Sequence, residues 1–200
     1  MAMNLFDLAG RSVLVTGGSR GLGREMALGL AQAGAHVAIA GRNRDELDAT
    51  VSDIEAAGGK CTAIKADLLD ANGPKSLVAN AVSALGWLDI VLHAAGHQVR
   101  KPPAELSIDE WDDIQAIHLR AAFLLAQGAI RHFRAKGMPG KIVFVGSLNS
   151  HIGIANVGAY AAAKSGLAGL ARVLSAENAE AGICVNTIIP GYFHTALTND

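Results

Sequence analysis

The sequence of 200 residues predicts an α/β fold in a single domain, residues 1–200, built as one doubly wound parallel sheet with helices on both faces. Two observations predict this class. Short apolar runs rich in β-branched residues alternate with longer segments whose apolar residues recur at helical intervals. In addition, no internal repeat, charge block or low-complexity linker divides the chain, which favours one core.

The strands are predicted from the short apolar runs. Each run is bounded by glycine, proline or a polar turn residue. Parallel strands joined by right-handed crossovers end at the same edge of the sheet, so a ligand site is expected at that edge, where the strand order reverses. The six predicted strands span residues 13–15, 36–40, 60–66, 88–93, 141–145 and 183–189.

The helices are predicted from apolar residues spaced three and four apart. Ser107 and Glu110 form a capping box that marks the start of the longest one. Gly34, Gly58 and Gly137 stand where three of these segments end, as expected for helix C-caps. The predicted helices span about 22–33, 42–57, 71–85, 107–137 and 160–179.

Composition excludes several classes of function. The formal net charge is −1 and half of the residues are hydrophobic, which gives no indication of a nucleic-acid surface or a polybasic membrane patch. The N-terminal residues lack a basic segment followed by an apolar core, and no apolar run is long enough to cross a bilayer. We therefore expect a cytoplasmic protein without nucleic-acid or membrane partners. Cys61 and Cys184 fall in predicted buried strands and are expected to be reduced core residues.

A glycine-rich turn follows the first predicted strand. Gly17, Gly21 and Gly23 have the spacing GxxxGxG between this strand and the first helix. Glycines at such a turn allow a tight bend and let a pyrophosphate approach the backbone N–H groups at the helix N-terminus. A glycine-rich turn of this kind also serves packing alone, so this motif by itself leaves both interpretations open.

Tyr160 and Lys164 are four residues apart in a predicted helix, and both project from one face. An ammonium group beside a phenol lowers the phenol pKa from about 10, as general acid–base catalysis requires. Ser147 follows a predicted strand, where its hydroxyl can hold a substrate oxygen. The alternatives are an exposed helix pair without function and a turn serine.

In their order along the chain, these motifs resemble those of the short-chain dehydrogenase/reductase superfamily, whose fold is Rossmann-like. The resemblance spans the whole chain. Residues 5–10, 98–102 and 190–192 are most similar to gluconate 5-dehydrogenases and related sugar-acid dehydrogenases, and next to 3-oxoacyl-carrier-protein reductases. The motifs that carry the resemblance are Thr16-Gly17-x3-Gly21-x-Gly23, Asp67, Ala95-Gly96, Ser147, Tyr160-x3-Lys164, Asn186 and Pro190-Gly191 with Thr195.

The resemblance implies hydride transfer between a nicotinamide cofactor and a carbonyl or secondary alcohol, for example of a sugar acid. Tyr160 would exchange the proton, Lys164 would bind the nicotinamide ribose and Ser147 would orient the carbonyl. No metal site is expected. The cofactor residues implied are Thr16, Gly17, Ser19, Arg20, Gly21, Leu22, Gly23, Arg42, Asp67, Leu68, Ala94, Ala95, Gly96, Tyr160, Lys164, Pro190, Gly191 and Thr195.

The choice of cofactor is predicted from charge. An acidic residue after the second strand usually holds a free ribose 2′-hydroxyl, but here Gly41 occupies that position and Arg42 follows it. Arg20 in the glycine loop offers a second cation. Two guanidinium groups and no carboxylate suit a 2′-phosphate, so we predict NADP(H). The alternative is that both arginines are solvated surface residues.

Two positions depart from the family pattern. His93 stands where the first asparagine of Asn-Asn-Ala-Gly is usual, and it is expected to be a hydrogen-bonded core residue. His118, seven residues after Trp111, replaces an asparagine that helps to hold a water in the proton relay. We expect His118 to be catalytic in that relay and to titrate near neutrality. The alternative is that it displaces the water, and His118→Asn is expected to change turnover at neutral pH only a few-fold.

Members of the family continue beyond the segment that contains Thr195 into helices that cover the substrate and a seventh strand. This chain ends at Asp200, so we expect the substrate-cover segment and that strand to be absent; the alternative is that these 200 residues are part of a longer chain. By the same resemblance, a homodimer or homotetramer is expected. The alternative function is a non-catalytic dinucleotide-binding sensor or scaffold. Arg100 and Lys101 are candidates for a substrate carboxylate or for a solvated loop.

Overall fold

A computed structural model of the chain describes residues 6–193, and its sheet has six parallel strands. Their order is β3-β2-β1-β4-β5-β6, and every pair of neighbouring strands is parallel. The predicted doubly wound fold with six strands is therefore confirmed. The strands are β1 Ser12–Thr16, β2 His36–Gly41, β3 Lys60–Lys65, β4 Ile90–His93, β5 Gly140–Val145 and β6 Ile183–Ile188.

Helices cover both faces of this sheet. In β1, Leu14 packs into one apolar cluster with the third, fifth and sixth helices, whereas Val13 and Val15 pack into another with the first two helices. Alternation of this kind buries both faces of a parallel strand. None of the helices within residues 6–193 is long and apolar enough to span a membrane. The helices are α1 Gly21–Gln32, α2 Arg44–Ala56, α3 Asn72–Leu85, α4 Ile108–Gln115, α5 Ala121–Lys136 and α6 Gly158–Asn178.

The second helix begins later than its apolar spacing predicts, because a side chain caps it. The Asn43 carboxamide oxygen accepts hydrogen bonds from the backbone N–H groups of Asp45, at 3.0 Å, and Glu46, at 3.4 Å. Such a cap satisfies N–H groups that have no partner inside the helix. Arg42 consequently lies outside α2, at the carboxyl end of β2, rather than within the helix as predicted.

The fourth strand is also shorter than predicted. It begins at Ile90 rather than Leu88. The Asp89 carboxylate accepts hydrogen bonds from the backbone N–H of Ser12 and from the Arg11 guanidinium, each at 2.9 Å, and so ties the start of β4 to the start of β1.

A π-helical turn, Ala116–Arg120, interrupts the single long helix that the sequence predicts over 107–137. The capping box of Ser107 and Glu110 is present at its start, as predicted. Such a turn inserts one residue into an α-helix and is frequent at functional sites. It separates α4 from α5 and holds His118, which is buried.

The prediction that both cysteines lie in the core is wrong for one of them. Cys61 is buried in β3, but Cys184 in β6 is exposed. Ile183 and Val185 in β6 pack against the main cluster, and the alternate side chains face away from it. Cys184 is one of those alternate residues, and β6 is the outermost strand of the part of the sheet that the structure describes.

Candidate active site

A cavity of about 740 Å³ lies at the carboxyl ends of the strands, where β1 and β4 lie side by side and the strand order reverses. This is the position at which open α/β sheets bind ligands. Thr16, which is predicted to contact the cofactor, is fully buried and does not line the cavity, and Thr195 lies outside the described residues. The other residues predicted for the site all line the cavity: Gly17, Ser19, Arg20, Gly21, Leu22, Gly23, Arg42, Asp67, Leu68, Ala94, Ala95, Gly96, His118, Ser147, Tyr160, Lys164, Pro190 and Gly191.

The glycine loop is packed too closely for side chains. Gly17 has a φ of +70°, and a Cβ on it would lie 2.6 Å from Ala95 Cα. A Cβ on Gly23 would overlap the carbonyl oxygen of Gly17 and lie 2.8 Å from its carbonyl carbon. No side chain caps the N-terminus of α1. The backbone N–H groups there are therefore available to an anion such as a pyrophosphate.

His93 connects three elements behind the cavity. Its Nε2 lies 3.1 Å from the carbonyl oxygen of Ile117, and its Nδ1 lies 2.8 Å from the Thr16 hydroxyl. A carbonyl oxygen only accepts, so Nε2 carries the hydrogen and Nδ1 accepts from Thr16. Burial lowers the pKa of His93 to about 3, which keeps the ring neutral. His93 is thus a hydrogen-bonded core histidine, as expected.

Tyr160, Lys164 and Ser147 meet on one wall of the cavity. Tyr160 and Lys164 lie one turn apart on α6, with Lys164 Nζ 5.5 Å from the Tyr160 ring centroid. Nζ donates a hydrogen bond of 2.6 Å to the Val145 carbonyl, at the end of β5. Ser147 caps a short 3-10 turn, Leu148–Ser150, and accepts from its backbone. The side chains that the sequence predicts to act together are therefore close in space.

The electrostatics of this group differ from the sequence-based expectation. Burial raises the pKa of Tyr160, and hydrogen bonding with Ser147 lowers it in part. Burial also lowers the pKa of Lys164 to about 7, because the side chain is only 5% exposed. Burial thus opposes the charged forms of both side chains. In the chain alone, Tyr160 therefore holds its proton rather than releasing it.

The prediction that His118 titrates near neutrality is wrong. The side chain is 2% exposed, and burial lowers its pKa well below the usual value, with a further contribution from Lys164. Its Nε2 lies 2.7 Å from the His97 carbonyl oxygen. The ring lies edge-on to that of Tyr160, with centroids 5.0 Å apart. His118 is thus neutral at pH 7 and packs directly against the predicted catalytic tyrosine.

Arg20 and Arg42 both line the cavity near the glycine loop, but the interpretation that no carboxylate is present there is wrong. Glu46 also lines the cavity, and its Oε2 accepts a hydrogen bond of 3.0 Å from the Ser19 hydroxyl. The capping of α2 by Asn43 places Glu46 in the first turn of that helix, directed toward the loop. The sequence does contain a signal for this carboxylate, because Glu46 follows the second strand closely, in the first turn of α2.

The loop after β4 contributes residues that the motif analysis did not single out. His97 and Gln98 line the cavity next to Gly96. Of the two cations considered for a substrate carboxylate, Arg100 lines the cavity, whereas the Lys101 ammonium is paired with the Glu110 carboxylate. Arg100 is therefore the candidate that the geometry supports.

Residues 11–200 match the family model described as short chain dehydrogenase. The chain is 38% identical to 2-dehydro-3-deoxy-D-gluconate 5-dehydrogenase of Escherichia coli strain K12 over 198 residues, which is 99% of this chain and 78% of that protein. Among solved structures, a gluconate 5-dehydrogenase from Burkholderia cenocepacia in complex with NADP and tartrate superposes with a TM-score of 0.91 at 31% identity, covering 97% of this chain and 76% of that one. A 3-oxoacyl (acyl-carrier-protein) reductase from Agrobacterium tumefaciens with NADP bound gives 0.94 at 32% identity, covering 100% and 78%.

Proposed function

The chain belongs to the short chain dehydrogenase family, and from this premise we propose that it is an NADP(H)-dependent oxidoreductase that interconverts a carbonyl and a secondary alcohol. The observation that carries the proposal is that Ser147, Tyr160 and Lys164 line the same cavity as the glycine loop. A sensor or scaffold that only binds a dinucleotide needs the loop but neither the Ser147 nor the Tyr160 hydroxyl. Their convergence favours catalysis.

The described residues fit a dinucleotide. The glycine loop lacks the space for side chains but exposes backbone N–H groups at the start of α1, which suits a pyrophosphate. When bound, the nicotinamide supplies or accepts the hydride. Arg20 and Arg42 would hold the 2′-phosphate, and Lys164 the nicotinamide ribose. Gluconate 5-dehydrogenase and oxoacyl reductase relatives that were crystallised with NADP support this choice.

The remaining steps are carried out by side chains of the protein itself. The Tyr160 hydroxyl gives a proton to the substrate oxygen during reduction and takes it back during oxidation. Ser147 holds that oxygen beside the phenol. Because burial raises the pKa of Tyr160, the phenol is protonated at neutral pH and ready for reduction. Oxidation requires the phenolate, which a positive charge in the cavity favours.

For the substrate we propose a sugar acid. The named relatives in support are gluconate-type dehydrogenases from Escherichia coli and Burkholderia cenocepacia. Within the chain, the support is Arg100, which lines the cavity and whose guanidinium group is of the type that binds carboxylates. The neighbouring Lys101 ammonium is paired with the Glu110 carboxylate, so Arg100 is the candidate of the two.

The proposal is tested with purified protein and a panel of keto-sugar acids, other keto acids and acyl thioesters, followed by NADPH absorbance. We expect turnover of one or more keto-sugar acids, with acyl thioesters reacting much more slowly. Preferred turnover of acyl thioesters would contradict the substrate class. Tight NADPH binding without turnover of any member would favour the sensor or scaffold.

The cofactor preference depends on Arg42. We expect Arg42→Ala to raise KM for NADPH roughly 10- to 100-fold, because a charge-assisted contact to the 2′-phosphate is lost, and to leave KM for NADH within about twofold. The measurement is steady-state kinetics with both cofactors. Arg44→Ala is the matched control, since Arg44 is exposed, pairs with Asp48 and does not line the cavity. Equal effects on NADPH and NADH would contradict the assignment.

We also propose that the protein forms a homodimer or homotetramer. The support is apolar surface on the helices near the site: Trp111 in α4, Phe123 in α5 and Val173 in α6 are all exposed. The helices α4 and α5 both pack against α6, and large exposed apolar side chains on adjacent helices are typical of an interface between subunits.

A further inference from the structure

The imidazole of His118 ties the π-helical turn to the loop that follows β4. Its Nε2 lies 2.7 Å from the His97 carbonyl oxygen, and since that oxygen only accepts, Nε2 must carry the hydrogen. The other nitrogen, Nδ1, is then unprotonated, and within residues 6–193 it is buried without a hydrogen-bond partner. The tautomer of His118 is therefore determined by a backbone carbonyl.

This hydrogen bond argues against proton relay through the ring. A proton entering at Nδ1 has to leave from Nε2, and the acceptor at Nε2 is a peptide oxygen. A peptide oxygen accepts a hydrogen bond but has no proton of its own to pass on. A chain of proton transfers through His118 thus ends at His97.

The ring also occupies the space beside Gly96. A Cβ on Gly96 would overlap Cε1 of His118 and lie 2.8 Å from its Nδ1. The ring has little room to move away, because it is buried and packs edge-on against Tyr160. The ring of His118 therefore occupies the space that is free because Gly96 has no side chain.

A second hydrogen bond runs in the opposite direction between the same two segments. His93, the last residue of β4, donates to the Ile117 carbonyl in the π-helical turn, while His118 in that turn donates to the His97 carbonyl. Residues 94–96, which line the cavity, lie between these two anchor points. The cavity wall is thus held at both of its ends.

We propose that His118 is a positioning residue and not a proton relay: its bond to the His97 carbonyl holds the wall of residues 94–96 in the shape that receives the cofactor. This proposal rests on the proposed function, because it takes the cavity to be the cofactor site. The neutral ring acts through the backbone of His97 and makes no step of the reaction itself.

Two substitutions separate the alternatives. In His118→Gln the carboxamide N–H can reach the place of Nε2 and keep the bond to His97, whereas in His118→Asn it reaches only the place of Nδ1. We expect His118→Asn to raise Kd for NADPH roughly tenfold with kcat changed only a few-fold, and His118→Gln to stay within about threefold of wild type in both. The pH profile of kcat should be the same in all three proteins. Kd is measured by quenching of NADPH fluorescence, which needs no turnover.

The opposite ranking would overturn the proposal. If His118→Asn matches wild type while His118→Gln loses kcat, or if either variant shifts the pH profile of kcat, the ring takes part in proton transfer. His132→Asn is the matched control, because this half-buried histidine of α5 does not line the cavity. It should leave Kd and kcat unchanged.

A double-mutant cycle of Gly96→Ala and His118→Ala keeps the proposal testable if His118→Asn folds poorly. The new Cβ at position 96 displaces the ring, so the losses in Tm and in NADPH binding should be strongly non-additive. Additive losses would contradict the coupling. A wild-type protein that binds no NADPH would refute the proposed cofactor, while the cycle read by Tm alone would still decide whether His118 and Gly96 are coupled.

Discussion

Tyr160→Phe is expected to lower kcat for carbonyl reduction by about 10²- to 10⁴-fold and to leave Kd for NADPH within about twofold. The substitution removes one oxygen atom and keeps the ring, which packs in a small cluster with Ile114, Val157 and Ala163. Since the ring contacts are retained, the fold should be unaffected. The measurements are steady-state kinetics on the best substrate of the panel and NADPH fluorescence titration.

The Tyr160 hydroxyl also determines the direction in which wild-type kcat changes with pH. Reduction needs the protonated phenol, so its rate should be constant at low pH and fall as pH rises through the pKa of Tyr160. Oxidation needs the phenolate and should rise over the same range. Burial raises that pKa, which extends the range in which reduction is fast. In Tyr160→Phe neither trend should remain.

The outcome that contradicts this role is specific. If Tyr160→Phe matches wild type on every active substrate, another group donates the proton. If instead it loses NADPH binding together with kcat, the substitution has disturbed the cavity, and the measured loss does not report proton transfer. Circular dichroism and Tm on the same samples separate a folding defect from either case.

The fold could be predicted because its signals are local and repeated. A β-branched run such as 141–145 indicates a buried strand wherever it occurs, and six such runs alternating with helical spacing leave few topologies. The edge at which the predicted site residues meet follows from the parallel order of the strands. No pairwise contact has to be known for that step.

The electrostatics of the site could not be predicted in this way. The spacing of Tyr160 and Lys164 indicates that they are neighbours, but not that Lys164 is buried and donates to the Val145 carbonyl. Burial opposes the charged forms of both groups and reverses the pKa direction that proximity alone indicates. A pKa depends on exposure, which is a property of the packed molecule.

The π-helical turn and the acidic neighbour of the glycine loop were missed for a similar reason. The apolar spacing continues through Ile114, Ile117 and Leu125, so one inserted residue at Ala116–Arg120 leaves no break in the pattern. The contact between Ser19 and Glu46 joins side chains 27 positions apart. The sequence places Glu46 near the start of α2, but local patterning does not predict its contact with Ser19.

Gly23→Ala is expected to weaken NADPH binding by at least about 100-fold, because the new Cβ meets backbone rather than a flexible side chain. It would overlap the carbonyl oxygen of Gly17 and lie 2.8 Å from the carbonyl carbon. Relief of this clash requires the two ends of the glycine loop to separate, which moves the N–H groups at the start of α1 away from their common direction. We expect Tm to fall by several degrees. Both effects are measurable on the purified protein by fluorescence titration and thermal unfolding.

Gly29→Ala is a matched control within the same helix. Gly29 is an exposed position of α1, and a Cβ there meets no atom within 4 Å. Replacing glycine by alanine in a helix interior stabilises a protein by about 0.5–1 kcal/mol, so Tm should rise by roughly 1–4 °C and NADPH binding should not change. The same substitution is therefore expected to lower Tm at Gly23 and to raise it at Gly29, six residues further along α1. If Gly23→Ala bound NADPH as tightly as Gly29→Ala, the close packing of the loop would serve stability alone, and the phosphates would have to lie elsewhere in the cavity.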